Sequence, residues 1–427
     1  MTLVLVVLFG LMLLGIPVAF AILSAGMAYL ATTGGSMLVV AQRLIYGLNS
    51  FTLLAVPLFI LVGNLMDFGG ISKRLTDWAK SILGWLPGGL GIVTVFSCAI
   101  FAALTGSGPA TVAAIGSIML PSMLKAGYSR ETSAGLVASA GALGPIIPPS
   151  IPMIIYGVNL SIPAMFMAGV VPGLVIALAL SLVNVVFAYR NPEVLKHAKT
   201  MKFDFKESMK LFWKALGALG LPVLILGGIY GGIFTPTESA AVGIVYALIL
   251  GFALKELKVK DLPKILINSL KTSTMVNFII AAASLFSWVV SKSQIGIVIS
   301  NAFISFVGGS QALYLFVLVV VLLIVGCLMD NVAATLILAP ILIPVGIALG
   351  CNELHIGMLF CICLVVGFVT PPFGYNLFTA VSISGLNFKQ IVKGALPFLL
   401  TEILLLFVFA YVPGIITWLP RLMGYGY

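Results

Sequence analysis

The chain has 427 residues, 61% of them hydrophobic and only 8% charged, with a formal net charge of +10. A soluble domain carries about 25% charged residues, so soluble enzymes and disordered tails are excluded, and the long continuous apolar runs exclude a membrane β-barrel, whose strands alternate in short segments. What remains is an all-helical polytopic membrane protein embedded in a lipid bilayer, with room for roughly ten to twelve spans or half-spans at about 20 residues per crossing.

Residues 1–87 read as a first scaffold or arm segment. It opens on an apolar run from Thr2 that lacks a basic leader and a small-residue cleavage site, so a retained helix is expected. Residues 88–160 read as a first transport repeat. In it, 88–104 enter the membrane, "TGSGPA" (105–110) turns, and 111–124 return to the same side, a re-entrant hairpin over 88–124. Within each of the two copies, the apolar runs just before the break are too short and too interrupted to be simple spans. A broken helix over 132–158 follows, where "GALGPIIPPSIPMIIYG" (141–157) places four prolines and three glycines in seventeen positions. Unwound backbone at membrane depth survives only where protein or a hydrated cavity satisfies it, so the break marks a candidate site.

Residues 161–310 read as connecting helices and a second scaffold segment, including the long polar connection "RNPEVLKHAKTMKFDFKESMK". In "TPTESAAVG", Glu238 stands three residues after Thr235 with Pro236 between them, the spacing of a capping box at a helix start. A second transport repeat covers 311–386: a hairpin over 311–349 turning at "CLMDNVA" (327–333), then a broken helix over 356–385 that contains "VVGFVTPPFGYN" (365–376). Residues 387–427 read as a C-terminal helix and tail.

The two transport segments are copies. Adding 223 to a position lands on an identical residue at Ala110/Ala333, Ile118/Ile341, Pro121/Pro344, Gly127/Gly350, Leu136/Leu359, Gly144/Gly367, Pro148/Pro371, Pro149/Pro372 and Ser161/Ser384, without a gap. Apolar matches are cheap in such a sequence; five Gly or Pro matches at one offset are not. The basic loops orient them. "KAGYSRE" after Pro121 is basic and expected in the cytoplasm, while its counterpart "GIALGCNELH" after Pro344 has no Lys or Arg and is expected outside. On this topology 19 of the 22 basic residues are cytoplasmic, and Arg43, Lys292 and Arg421 are not. The positive charge is thus a topology signal and implies no nucleic-acid partner. Inverted repeats of this kind place substrate and coupling-ion sites near the midplane, at broken helices.

The polar residues concentrate there. Ser107, Gly108, Pro109 and Thr111 stand at the first tip, and Asp330, Asn331 and Thr335 at the second. Intramembrane polar clusters mark ion or solute paths, although a tip also needs such residues as turn formers and caps. At the breaks, "GPII" and "GFVT" offer carbonyls without a donor, which suits a hard cation such as sodium. Half-helix N-termini near Ser150 and Phe373 suit a substrate carboxylate. The ion-binding candidates are Ser107, Gly108, Gly144, Ile147 and Pro148 in the first repeat and Gly326, Asp330, Asn331, Gly367 and Thr370 in the second. The substrate-binding candidates are Ser107, Thr111, Pro149 and Ser150 with Asn331, Thr335, Pro372 and Phe373.

Elsewhere, Asp67 and Glu402 lie nearer span ends, where interfacial exposure is expected. The five cysteines (Cys98, Cys327, Cys351, Cys361, Cys363) read as core thiols, and His197 and His355 as loop histidines without metal-ligand spacing. No H-E-x-x-H, G-x-S-x-G or G-x-x-x-x-G-K-[ST] occurs, so neither an enzyme nor a motor driven by its own ATP hydrolysis is expected.

The stretches "TGSGPATVAAIGSIMLPSMLKAGYSRETSAGLVASAGALGPIIPPSIPMIIYG", "MDNVAATLILAPILIPVGIALG" and "GFVTPPFGYNLF" resemble the large membrane subunit of the tripartite ATP-independent periplasmic (TRAP) transporters, and the resemblance runs from "GIPVAFAI" through "TPTESAAVG" to the C-terminus. It implies a secondary transporter of the bacterial inner membrane that works by an elevator mechanism, takes Na⁺ as coupling ion and needs no other cofactor. It also implies a soluble periplasmic substrate-binding protein that delivers a small organic acid, of the sialic acid or C4-dicarboxylate class. A small four-helix membrane subunit would be a separate chain. A stand-alone carboxylate carrier of related fold and a passive channel are the alternatives.

Overall fold

Hydrocarbon offers a backbone no hydrogen-bond partner, so apolar runs of this length fold as helices. The computed structural model of the chain describes residues 2–158 and 160–426, and among these it contains α-helices, two short 3₁₀ turns and loops. First come α1 (Thr2–Leu13), α2 (Val18–Thr33), α3 (Leu38–Leu48), α4 (Ala55–Phe68) and α5 (Ile71–Leu83). The first hairpin and broken helix are α6 (Gly89–Thr105), α7 (Gly108–Lys125), α8 (Arg130–Gly141) and α9 (Ile151–Gly157). The middle of the chain holds α10 (Ile162–Tyr189), α11 (Pro192–Thr200), α12 (Phe205–Tyr230), α13 (Pro236–Ala253), α14 (Leu262–Lys292) and α15 (Ile295–Phe306). The second hairpin and broken helix are α16 (Gln311–Leu328), α17 (Asn331–Ala348), α18 (Glu353–Gly367) and α19 (Tyr375–Ser384), followed by α20 (Phe388–Tyr411) and α21 (Gly414–Leu422).

Among the described residues, eight helical stretches are long and apolar enough to cross a bilayer, and four shorter apolar helices accompany them. Two of the eight are α16 and α17, each 18 residues long. The arms of the second hairpin are therefore long and apolar enough to span, contrary to the expectation from the sequence.

The 223-residue offset is visible in the helix bounds. Gly108–Lys125 becomes Asn331–Ala348, and Arg130 at the start of α8 becomes Glu353 at the start of α18. The helix starts match because their N-caps do: Ser129 accepts from the Thr132 amide, and its counterpart Asn352 accepts from the His355 amide at 2.9 Å. Gly127 and Gly350 both take the left-handed conformation (φ 88° and 82°) that ends the preceding arm, which glycine adopts without a Cβ penalty.

Elsewhere, Thr235 and Glu238 form the expected capping box, with the Thr235 amide donating to Glu238 at 2.8 Å. All five cysteines are free and buried, and Asp67 is exposed. The polar connection after Arg190 is largely helical, because Asn191 caps α11 and Asp204 caps α12. Two expectations need correction. His197 lies within α11, and His355 lies in the first turn of α18, where it is buried and its Nε2 meets the Phe409 carbonyl at 2.8 Å. Glu402 is not at an interface but inside α20 at 1% exposure, with both carboxylate oxygens unpartnered among the described residues; α20 is 24 residues long and carries it well inside its ends.

Candidate functional site

Each hairpin tip is built by a helix end meeting a helix start. In the first, Gly106 takes φ 59° to stop α6, and the extended Ser107 begins α7 with Pro109 in the first turn. Ser107 stands at the N-cap but its hydroxyl makes no capping bond; its carbonyl instead accepts from Thr111 Oγ1 at 2.8 Å, and Thr111 meets Thr105 at 3.3 Å. The second tip uses the position differently. Asp330, 223 residues on, does cap α17, accepting from the Val332 amide at 2.9 Å. Thr335 Oγ1 donates to the Asn331 backbone carbonyl at 2.7 Å.

The breaks press against these tips. An added Cβ at Gly144 would stand 2.6 Å from the Ser107 carbonyl oxygen, and one at Gly367 would stand 2.6 Å from the Gly326 Cα. In both repeats only glycine lets the unwound backbone approach its own hairpin tip so closely. The Gly374 amide also donates to the Cys327 carbonyl at 3.3 Å, tying the second break to its tip.

The carbonyl inventory is narrower than the sequence suggests. In "GPII", the Pro145 carbonyl is taken by Ser150 Oγ at 2.6 Å, so the Ser150 hydroxyl turns inward to its own loop. In "GFVT", the Phe368 carbonyl is taken by the Asn376 amide at 3.0 Å, the Gly367 carbonyl by the Thr370 amide at 3.0 Å, and Thr370 Oγ1 donates to Val366 at 3.1 Å. The carbonyls of Gly144, Ile146, Ile147, Pro148 and Pro149, and those of Val369, Thr370, Pro371, Pro372 and Phe373, accept no hydrogen bond among the described residues. Both proline pairs are joined by cis peptide bonds. The half-helices start at Ile151, with Ser150 as N-cap, and at Tyr375, with Gly374 as N-cap. Phe373 therefore precedes the second half-helix rather than opening it.

The half-helices also cross to the opposite repeat: α9 packs on α17 and α19 on α7. Asn376 is the polar residue of this crossing that the sequence reading missed. It is fully buried, its Nδ2 donates to the Ala138 carbonyl at 3.0 Å, and its Oδ1 has no partner. An added Cβ at Gly108 would stand 2.7 Å from that Oδ1, so Asn376 joins the second break to the first tip. The offset could not reveal it, because the first repeat carries Met153 at the equivalent place.

A cavity of about 600 Å³ lies between α3 and α14 on one side and α9, α17 and the start of α18 on the other. Thr335 opens onto it from the second tip, with Tyr46, Asn49, Ser50, Tyr156, Ser284 and Ser287 as further polar lining and Glu353 as the one carboxylate. Of the substrate-binding candidates only Thr335 lines this cavity; Ser107, Thr111, Pro149, Ser150, Asn331, Pro372 and Phe373 do not. No group of three or more His, Cys, Asp or Glu that could hold a metal ion occurs among the described residues, so a cation here would rely on carbonyls, hydroxyls and amides.

Similarity to known proteins bears on this geometry. Residues 5–415 match the model of a family described as "Tripartite ATP-independent periplasmic transporter, DctM component". The chain is 39% identical over 405 residues to the C4-dicarboxylate TRAP transporter large permease protein DctM of Pseudomonas aeruginosa, covering 94% of each chain. It is 34% identical to the sialic acid TRAP transporter large permease protein SiaM of Vibrio cholerae, covering 98% of each. It is 39% identical to the isethionate TRAP transporter permease protein DctMQ of Oleidesulfovibrio alaskensis, where it covers 95% of this chain and 64% of that longer one. Likeness of this extent, running through both hairpins and both breaks, leaves one assignment: the chain belongs to the DctM component family of the tripartite ATP-independent periplasmic transporters, a family of membrane permeases and not of enzymes.

Proposed function

We propose that this chain is the permease subunit of a sodium-driven importer that carries a small organic acid, of the sialic acid or C4-dicarboxylate class, across the bacterial inner membrane. Its two hairpin-and-break units are inverted repeats, and together they move as an elevator against the remaining helices. The basic loops face the cytoplasm. A soluble periplasmic binding protein delivers the acid on the other side, and a separate small four-helix subunit completes the membrane complex.

One observation carries this reading: two runs of unpaired carbonyls at the same 223-residue spacing, each pressed by a glycine onto its own polar hairpin tip. Hard monovalent cations take oxygen ligands, and unwound backbone at membrane depth is tolerated where such a ligand or a cavity satisfies it. Ser107 with Gly144, Ile147 and Pro148 would supply the first ion site. Asn331 with Thr370 and the carbonyls after Gly367 would supply the second, with Asp330 holding the tip. The names of the relatives span C4-dicarboxylate, sialic acid, 2,3-diketo-L-gulonate and isethionate, which supports an anionic substrate and leaves the acid to experiment.

Uptake into proteoliposomes by the assembled complex tests the proposal. Replacing external Na⁺ by K⁺ at constant ionic strength should abolish uptake. Uptake that follows a proton gradient alone would overturn the coupling assignment, and uptake by this chain without a binding protein would favour a stand-alone carrier.

A further inference from the structure

The polar wall of the 600 Å³ cavity contains hydroxyls, an amide and the Glu353 carboxylate but no lysine or arginine. An acid entering it would lose water next to a like charge, a cost that needs a cation in reach. One guanidinium packs on a residue of this wall. Arg43, on α3, lies 5.6 Å from the ring centroid of Tyr46 and 5.5 Å from that of Trp288. Tyr46 itself lines the cavity, and Trp288 follows the lining residue Ser287 on α14.

Arg43 is half-buried, and among the described residues it has neither an ion pair nor a hydrogen bond; its contacts are the two rings. Aromatic faces hold a guanidinium through its π-face. They leave the five N–H donors, which lie in the guanidinium plane, available for the paired oxygens of a carboxylate or sulfonate. The ring bracket also restricts a flexible side chain before the anion arrives, which lowers the entropy cost of capture.

We propose that Arg43 is the anion-recognising residue of this cavity, held by Tyr46 and Trp288 to pair with the acid group of the substrate while Ser50, Ser284, Ser287 and Thr335 face its remaining polar atoms. The proposal rests on the reading of the chain as an organic-acid permease. Lys292, one turn beyond Trp288 on α14, is exposed and supplies a matched control for net charge.

The test uses the full complex in proteoliposomes with succinate and sialic acid as probes. Arg43→Gln should raise the half-saturating concentration of the transported probe by at least about tenfold, the effect of a lost charge-assisted pair, with a smaller change in maximal rate. Arg43→Lys should recover part of it, and Lys292→Gln should change it by less than about twofold, since an exposed charge is screened. Binding is read separately in a chain that keeps Trp288 as its sole tryptophan, with Trp78, Trp85, Trp213 and Trp418 changed to Phe. One of the two probes should alter Trp288 fluorescence when Arg43 is present and not in the Arg43→Gln chain. Wild-type half-saturation in Arg43→Gln, or no Trp288 response to either probe with Arg43 in place, overturns the proposal. Failure of the permease reading looks different: a Trp288 response that depends on Arg43, without sodium-dependent uptake.

Discussion

The first break, residues 142–150, is buried at every position except the half-buried Ile147, whereas Pro371, Pro372 and Phe373 of the second stand exposed. The cover comes from the helix that follows. In α10, Gly169 and Gly173 let the helix close on the break: an added Cβ at Gly169 would stand 2.6 Å from the Ile146 carbonyl oxygen, and one at Gly173 would stand 2.6 Å from Ile147 Cγ1. In α20, the positions 223 residues on are Val392 and Leu396, too large for such an approach, and Leu396 is itself exposed. The glycine of α20 that does pack backbone to backbone is Gly394, and it faces Glu131 and Gly135 of α8 in the other repeat. Two copies of one motif thus differ because small residues sit at different places on the helices behind them. The first break is sealed and the second stays open.

That contrast can be broken or sharpened in four ways. The largest effect expected is all-or-none. In a chain with its five cysteines replaced, Phe373→Cys should react fully with a small polar thiol reagent and Ser150→Cys should not, as read by intact-mass spectrometry; equal reactivity would erase the distinction. Next, Gly144→Val and Gly367→Val should both reduce sodium-dependent uptake to background, because each forces a side chain onto hairpin backbone, an overpacking cost of about 1–3 kcal/mol or more. Here the two repeats should agree, since the tip contact is what they share.

A third expectation separates the covers. Gly169→Leu should destabilise the protein by about 1–3 kcal/mol, while Leu396→Ala on the exposed counterpart should stay within about 0.5 kcal/mol. Thermal unfolding in detergent compares them, and similar shifts would mean that α10 and α20 cover the breaks alike. The smallest effect concerns the tips. Asp330→Ala removes a helix cap and should cost about 1 kcal/mol, whereas Ser107→Ala removes a hydroxyl that caps nothing and should leave stability unchanged while lowering uptake. A stability loss in Ser107→Ala with normal uptake would assign Ser107 to turn formation only.

Much of this was readable along the chain, and for local reasons. Unwound segments show as Gly and Pro within apolar runs, hairpin tips as Ser, Asp and Asn between them, and the capping box as Thr235 with Glu238. The N-cap pair Ser129 and Asn352 was not singled out, although both lie at matching offsets and both cap. Asn376 and the Arg43 bracket were out of reach, because their partners lie 238 residues away at Ala138 and on the opposite helix at Trp288. Glu402 misled, since depth inside a bundle depends on neighbouring helices rather than on distance from the end of its own run.

What the sequence determined by itself is everything that depends on periodicity and on a backbone deprived of water: an all-helical membrane chain, two hairpins, two breaks and their common spacing. What only the tertiary structure decided is which carbonyls remain free once Ser150 and Asn376 have taken theirs, which break is covered, and where the cavity with Thr335 in its wall lies. The physical reason is that these are contacts between segments hundreds of residues apart. In a chain that is apolar almost throughout, local composition cannot say which apolar face meets which; close approach at single glycines such as Gly144, Gly169 and Gly394 decides it.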